Sequence, residues 1–338
     1  MSLLKGTFTG CRYKVDGQVN HMTKMIRMIQ EGAFAAPPGR TRGTSVGWAR
    51  SDNFLETDFD DTSMWIFGPW RVFVLRIEKT NVPATLVKAH ANKQIKTWCK
   101  EHERERCPRI IRREIEDQIL QDLLPKSLPK TSAIEVAWNE VEQRLWFAST
   151  AESANDRFRQ LFKSTFGLEI TPLEEKTFAA EFYLWLWWLT EHAEGVATLE
   201  DMEPATVWIW IEDLLSFCSP GDTDNKVVLT GDKAPTSPES RTALRDGKLP
   251  RAIKLGLRQE DTEFAVTLRE DGTNFNSAKL PKTETKNDEA HVYERLGLVD
   301  RLASILDGMF KHFISKRLAK DWPPRALTEW VGSHEDAA

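Results

Sequence analysis

Two helix-like stripes enclosed by prolines constrain the fold of this chain more than any other feature. After Val82-Pro83 the apolar residues follow a helical period, and the lysines of the segment fall on the opposite side. Pro108 interrupts this pattern, and a second stripe at spacing four ends before Pro125. The stripes consist of Val87, Ala91, Ile95 and Trp98, and of Ile111, Ile115, Ile119 and Leu123. The sequence therefore predicts a helical hairpin between these prolines.

Strand-like segments flank the predicted hairpin on both sides. Residues 45–54 and 64–77 are rich in Val, Ile, Phe and Trp and are separated by an acidic turn, which predicts a β-hairpin. A strand at 3–15 and a helix at 18–31 precede them, and a period-two pattern resumes at 133–148. These segments predict an α+β unit into which the helical hairpin is inserted.

Pro172 marks a candidate domain boundary, after which tryptophans become frequent. They cluster at 178–190 and 206–217, and clusters of large aromatic side chains typically form core. We expect strands at 226–230, 251–258 and 263–269, followed by two or more helices between residues 288 and 319.

Composition limits the class of protein. The chain has 338 residues, 41% of them hydrophobic, enough for a sizeable core and about two domains. Its longest apolar run, Phe182 to Leu189, is far shorter than the about 20 residues of a membrane helix. The first residues do not form a secretory signal, and the four cysteines are scattered. We therefore expect a cytoplasmic protein with reduced thiols and no membrane association.

Motifs for nucleotide, metal or nucleophile chemistry are incomplete. Gly247-Lys248 lacks the earlier glycine and the following Ser or Thr of a phosphate-binding loop. Cys99, His102 and Cys107 match no zinc spacing. We predict no catalytic site, no metal and no cofactor. One enzymatic alternative stays open, a metal-dependent nuclease that would use Asp58, Asp60, Asp61 or Glu174.

Basic residues are concentrated in local stretches, although the formal net charge is −5. Between residues 86 and 113 nine basic residues stand against three acidic ones, and between 226 and 258 eight stand against three. A further cluster follows at 311–325. A protein that binds duplex DNA without reading bases needs lysines and arginines directed at phosphates. These stretches are therefore candidate DNA-binding surfaces.

Two other interpretations are open at this stage. Charged faces of helices often serve only to keep a protein solvated. The tryptophan clusters could instead form the exposed aromatic docking face of a protein-interaction scaffold.

A series of short motifs follows one another in a characteristic order. The first half contains Gly47-Trp48, Val82-Pro83 with Val87-Lys88, and Leu123-Leu124-Pro125-Lys126 ahead of a strand at 133–138. The second half contains Ala151-Glu152 ahead of 158–161, Pro172-Leu173, Asp246-Gly247-Lys248, and the strand pair 252–257 and 264–268 that ends in Asp271-Gly272. This order resembles the RdgC family of recombination-associated proteins over nearly the whole chain.

The resemblance implies an α+β protomer shaped like a horseshoe, with antiparallel or mixed sheets. It implies a central domain of residues 1–80 and 131–172, an inserted helical tip at 81–130 and a base domain at 173–338. Two protomers would close into a ring that binds DNA, mainly double-stranded and possibly single-stranded, without sequence preference. By occupying DNA in the nucleoid, the ring would restrain strand exchange by a RecA-type recombinase. An exonuclease activity has also been suggested for the family, and the incomplete carboxylate motifs do not favour it.

The resemblance also suggests particular contact residues. Leu128, just after the Leu-Leu-Pro motif, matches an apolar dimer contact that is usually aromatic in the family. Lys233 and Lys248 match basic positions of the base, with Arg251 and Lys254 close by. The tip would contribute Lys88, Lys93, Lys96 and Lys100.

Overall fold

The computed structural model describes residues 2–19, 21–37, 43–173, 178–200, 206–269, 272–283, 285 and 287–333. Within these ranges the chain forms thirteen strands and eight α-helices. The strands are β1 (Phe8–Asp16), β2 (Gly43–Arg50), β3 (Ile66–Phe67), β4 (Trp70–Thr80), β5 (Lys130–Asn139), β6 (Arg144–Phe147), β7 (Glu169–Pro172), β8 (Val196–Leu199), β9 (Val207–Ser219), β10 (Asp222–Thr230), β11 (Leu249–Gln259), β12 (Thr262–Arg269) and β13 (Gly272–Lys279). The helices are α1 (Met22–Glu31), α2 (Ala84–Glu101), α3 (Arg109–Leu123), α4 (Glu152–Phe166), α5 (Ala179–His192), α6 (Pro238–Arg245), α7 (Asp288–Arg317) and α8 (Arg325–Ser333).

One antiparallel sheet runs through the described part of the chain. Ten strands follow one another in the order β10-β9-β11-β12-β13-β1-β6-β5-β4-β2, while β3, β7 and β8 pair at its sides. The predicted α+β class is confirmed, and so is the pairing of the two strand-like segments near the N-terminus. β2 pairs antiparallel with β4 from Gly43↔Thr80 to Arg50↔Phe73.

The helical hairpin is inserted where the sequence predicts it. β4 and β5 are neighbouring strands, and Lys79 pairs with Lys130 at the end of their ladder. The chain between them forms α2 and α3, which project from that end of the sheet. Ala91, Ile95 and Ile119 make a small core of their own, separate from the two larger clusters.

Helices pack against two parts of the sheet and form two large hydrophobic cores. Trp48, Trp138 and Phe158 belong to a core between α1, α4 and the β2–β4–β5 region. The larger core lies between α5, α7 and strands β9 to β13, and it contains Trp187, Leu257 and Leu302, each fully buried. The aromatic residues of α5 are thus mainly structural.

Two local predictions are wrong. The first strand begins at Phe8 rather than residue 3, because the amides of Leu3 and Leu4 donate to the Glu135 carboxylate instead of a neighbouring strand. The segment after residue 288 forms one helix of 30 residues, since no proline interrupts it before Arg317 and its apolar side is buried along the length.

The larger assembly remains a prediction. The horseshoe shape and the ring dimer stay predictions. So does the division into domains at residues 80, 131 and 172.

Candidate nucleic-acid interface

The inserted hairpin separates its apolar and basic residues by helix geometry. Residues at spacing four lie on one face of a helix. Val87, Ala91, Ile95 and Cys99 pack with the facing stripe of Cys107, Ile115, Ile119 and Leu123. The remaining arc of α2 faces solvent and bears the lysines.

A row of exposed lysines runs along α2. Lys88, Lys96 and Lys100 repeat at multiples of four, and Lys93 lies beside them. With a rise of 1.5 Å per residue, the row from Lys88 to Lys100 is about 18 Å long. The four hairpin lysines predicted as DNA contacts therefore lie on one continuous face.

Arginines extend this basic surface beyond the lysines. The connection between the helices and the first turns of α3 contribute five more exposed cations: Arg104, Arg106, Arg109, Arg112 and Arg113. None of the nine basic residues of 86–113 forms an ion pair with any residue that the structure describes. The predicted residue set omitted these arginines, although the same count of local charge identifies them.

The predicted base residues have different surroundings. Lys233 is exposed in the turn before α6. Gly247 takes a left-handed backbone with φ 74°, which turns the chain from α6 into β11 just before Lys248. The Lys248 side chain is only 12% exposed and lies 3.7 Å from Asp246. The Arg251 guanidinium lies 3.7 Å from the Cys218 sulfur.

Lys254 is neutralised by the protein itself. Its ammonium lies 2.7 Å from Asp213 and 3.0 Å from Glu212. The hydrogen bond to Asp213 raises the pKa of Lys254, and the same bond lowers the pKa of Asp213. The two carboxylates offset the positive charge of the ammonium, so this lysine attracts a phosphate only weakly. The structure therefore favours the hairpin over this part of β11 as the main cationic surface.

The cations of the hairpin and those of the base lie far apart. The hairpin follows β4, whereas Lys248, Arg251 and Lys254 precede or lie on β11. Five strands lie between β11 and β4 in the strand order. At about 4.8 Å per strand step, the two strands are about 29 Å apart along the sheet. The predicted residues thus form two groups rather than one patch within a protomer.

Leu128 remains a candidate contact residue. Its side chain is 82% exposed, and it lies two residues before β5, at the sheet end of the hairpin. An apolar side chain this exposed is available to a partner, and its role in a dimer is still a prediction.

The acidic residues considered for a nuclease are engaged in local turns. Asp58 accepts from the amide of Asp60, and Asp61 accepts from the amide and hydroxyl of Ser63. Glu174 lies outside the described residues. Among the residues that are described, no three His, Cys, Asp or Glu side chains are grouped so as to hold a metal ion.

Most tryptophans of α5 are unavailable as an exposed docking face. Trp185 and Trp187 are 4% and 0% exposed. The expectation that this cluster forms core is confirmed. Trp208 and Trp210 on β9 differ, because both are only half-buried.

The fold and the site define an α+β protein with an antiparallel sheet and an inserted helical hairpin, whose exposed cations form no ion pair with a described residue. The model of a family described as "Putative exonuclease, RdgC" matches residues 12–273 of this chain. The chain belongs to the RdgC family, as the order of its motifs predicts. No curated protein matches the sequence. Among the described helices, none combines the length and apolar character needed to span a membrane.

Proposed function

We propose that this protein binds double-stranded DNA without reading base sequence, mainly through the exposed cations of the helical hairpin. The observation that carries the proposal is the absence of ion pairs between these nine cations and any described residue. Cations that no described carboxylate engages are available to replace the counterions of DNA phosphates. Backbone contacts of this kind carry no base information.

We further propose that two protomers form a ring around the duplex. Membership of the RdgC family supports this, because the family is associated with recombination. In a ring, many weak phosphate contacts act together and the DNA is retained topologically. Such a ring in the nucleoid would restrain a RecA-type recombinase by occupying its DNA substrate.

We propose binding without cleavage. The ring blocks strand exchange by occupancy, so the function requires no active site. The family is described as a putative exonuclease, and the test of binding therefore includes the metal ions that a nuclease would use.

A titration with fluorescent 40-base-pair duplexes tests the proposal. Two unrelated sequences are titrated as linear and as short circular DNA, with magnesium or manganese present, and the DNA is afterwards analysed for shortening. We expect equal affinity for both sequences, slower dissociation from circles and intact DNA. A sequence-dependent affinity or shortened products would contradict the proposal.

A further inference from the structure

In the part of the sheet formed by β8, β9 and β11 to β13, the face opposite α5 holds two half-buried tryptophans. Ile209 and Leu257 point into the core with α5 and α7. Because side chains alternate along a strand, the neighbouring Trp208, Trp210 and Arg258 lie on the other face. We call this surface the Trp face, and it consists of Trp208, Trp210, Gly256, Arg258 and Lys279.

Strand register assembles the Trp face from distant parts of the chain. Antiparallel pairing places Val196, Trp210, Gly256, Ala265 and Lys279 in one row across five strands. The adjacent row holds Thr198, Trp208, Arg258 and Glu263. A cleft of about 620 Å³ opens beside Trp210 and reaches Lys279 and Lys282.

Both indole rings are held in place while remaining accessible. The Arg258 guanidinium carbon lies 4.9 Å from the centre of the Trp208 ring. Trp210 lies against Gly256, where any Cβ would overlap its indole. Each ring is half-buried, unlike Trp187 in the core. Two residues along a strand correspond to about 6.8 Å, so the rings offer two separate stacking positions.

The charges around the rings are mixed. Arg258, Lys279 and Lys282 form no ion pair with a described residue, whereas Lys254 is held by Glu212 and Asp213. Asp261, Glu263 and Glu294 also line the cleft. Such a surface attracts phosphates weakly, so a nucleic acid bound there depends on stacking rather than on charge.

We propose that the Trp face binds single-stranded DNA by stacking unpaired bases on Trp208 and Trp210, with Arg258 and Lys279 near the backbone. Every base has a π-face, and base stacking on aromatic residues tolerates any sequence. Paired bases inside a duplex do not offer these faces. The inference rests on the proposed function, because it assumes a protein that acts on DNA, and it adds a site for DNA with unpaired bases.

The test compares single-strand and duplex binding in the full-length chain. A fluorescent 20-nucleotide single strand is titrated into the wild type, Trp208→Ala and Trp210→Ala. Loss of one stacking ring is expected to weaken single-strand binding about tenfold and leave duplex binding unchanged. Trp208→Phe keeps a ring and should retain most of the affinity, which separates stacking from misfolding. Tyr293→Ala removes an aromatic residue that is 57% exposed outside the Trp face and serves as the control.

Two further measurements sharpen the outcome. Glu263→Gln removes a negative charge opposite Arg258 and should tighten single-strand binding. The salt dependence of single-strand binding should be shallower than that of duplex binding, because fewer phosphates are neutralised.

The possible failures are distinguishable. If the wild type binds duplex but no single strand, or if Trp208→Ala weakens both equally, the Trp face is not a single-strand site. If the wild type binds neither DNA, the proposed function fails and this inference fails with it.

Discussion

At the scale of single residues, close backbone packing explains why Gly47 precedes Trp48 in β2. The Phe34 amide donates to the Trp48 carbonyl at 2.8 Å, and the Trp48 amide donates to the Gly32 carbonyl at 2.9 Å. These bonds bring the Phe34 backbone so close that a Cβ on Gly47 would overlap it.

Gly47→Ala should therefore destabilise the protein. Overpacking against backbone costs about 1–3 kcal/mol of unfolding free energy. Gly43→Ala, in the same strand with open space around it, should be neutral or slightly stabilising. Urea unfolding of the two variants measures the difference, and equal stabilities would contradict this account of Gly47.

A half-buried carboxyl, that of Asp300, gives stability a defined pH dependence. Burial raises the pKa of Asp300, although the hydrogen bond from Trp146 and the nearby Arg144 and Arg12 lower it. The folded state therefore holds this proton more tightly than the unfolded chain. Stability from this group is fully present at low pH and is lost as the pH rises from the ordinary Asp pKa through the raised one.

Asp300→Asn should remove that loss, because an amide oxygen still accepts from the Trp146 indole, 2.9 Å away in the wild type. The variant should be more stable than the wild type at pH 7, and the advantage should shrink as the pH falls toward 4. Thermal unfolding of both proteins from pH 4 to pH 8 measures it. An advantage that does not vary with pH would exclude this carboxyl as the cause.

The environment of individual site residues was the least predictable from sequence. The local charge count identifies Lys96 and Lys254 equally well. Only the register of β9 with β11 shows that Glu212 and Asp213, about 40 residues earlier, neutralise Lys254. Charge counts find basic segments, whereas pairing across a sheet decides which cations remain available.

At the scale of elements, the hairpin folds on its own small core. Ile95 is 8% exposed and packs with Ala91 and Ile119, apart from the main clusters. Elements with few buried apolar contacts open locally before the whole protein unfolds.

Ile95→Ala should loosen the hairpin selectively. Removing a buried Ile side chain costs about 2 kcal/mol or more, and the loss should raise amide exchange in α2 and α3 while β4 and β5 stay protected. Thr97→Ala, at an exposed position of the same helix, should leave exchange unchanged. Equal acceleration in the strands would show that the hairpin is not a separate unit.

Elements with a strong local pattern were predictable. The stripes that contain Ile95 and Ile119 define α2 and α3 within a few residues, because their periodicity depends only on neighbours in sequence. The start of β1 was not predictable, because the hydrogen bond from the Leu3 amide to Glu135 joins residues 132 positions apart. The expectation of two or more helices after residue 288 was wrong, because α7 continues through Gly297 with its apolar side buried along the length.

At the scale of the whole molecule, the proposed ring needs a contact between protomers. Leu128 is exposed beside the hairpin, and Leu128→Glu would place a charge in an apolar interface. We expect this variant to shift from dimer to monomer in sedimentation velocity without a change in thermal stability of the protomer. Val141→Glu changes an equally apolar side chain, 73% exposed in the turn between β5 and β6, and should remain dimeric. A dimeric Leu128→Glu protein would place the interface elsewhere.

We infer that the hairpin cations, which form no ion pair with a described residue, bind duplex phosphates. The most direct measurement is the slope of log affinity against log salt for the wild type and for Lys96→Gln/Lys100→Gln. Lys24→Gln/Arg157→Gln removes two charges from α1 and α4 and serves as the control. We expect a steep slope for the wild type and the control, and a slope smaller by about 2 for the hairpin variant, equally for every DNA sequence. A hairpin variant with the wild-type slope would show that these cations do not bind the phosphates.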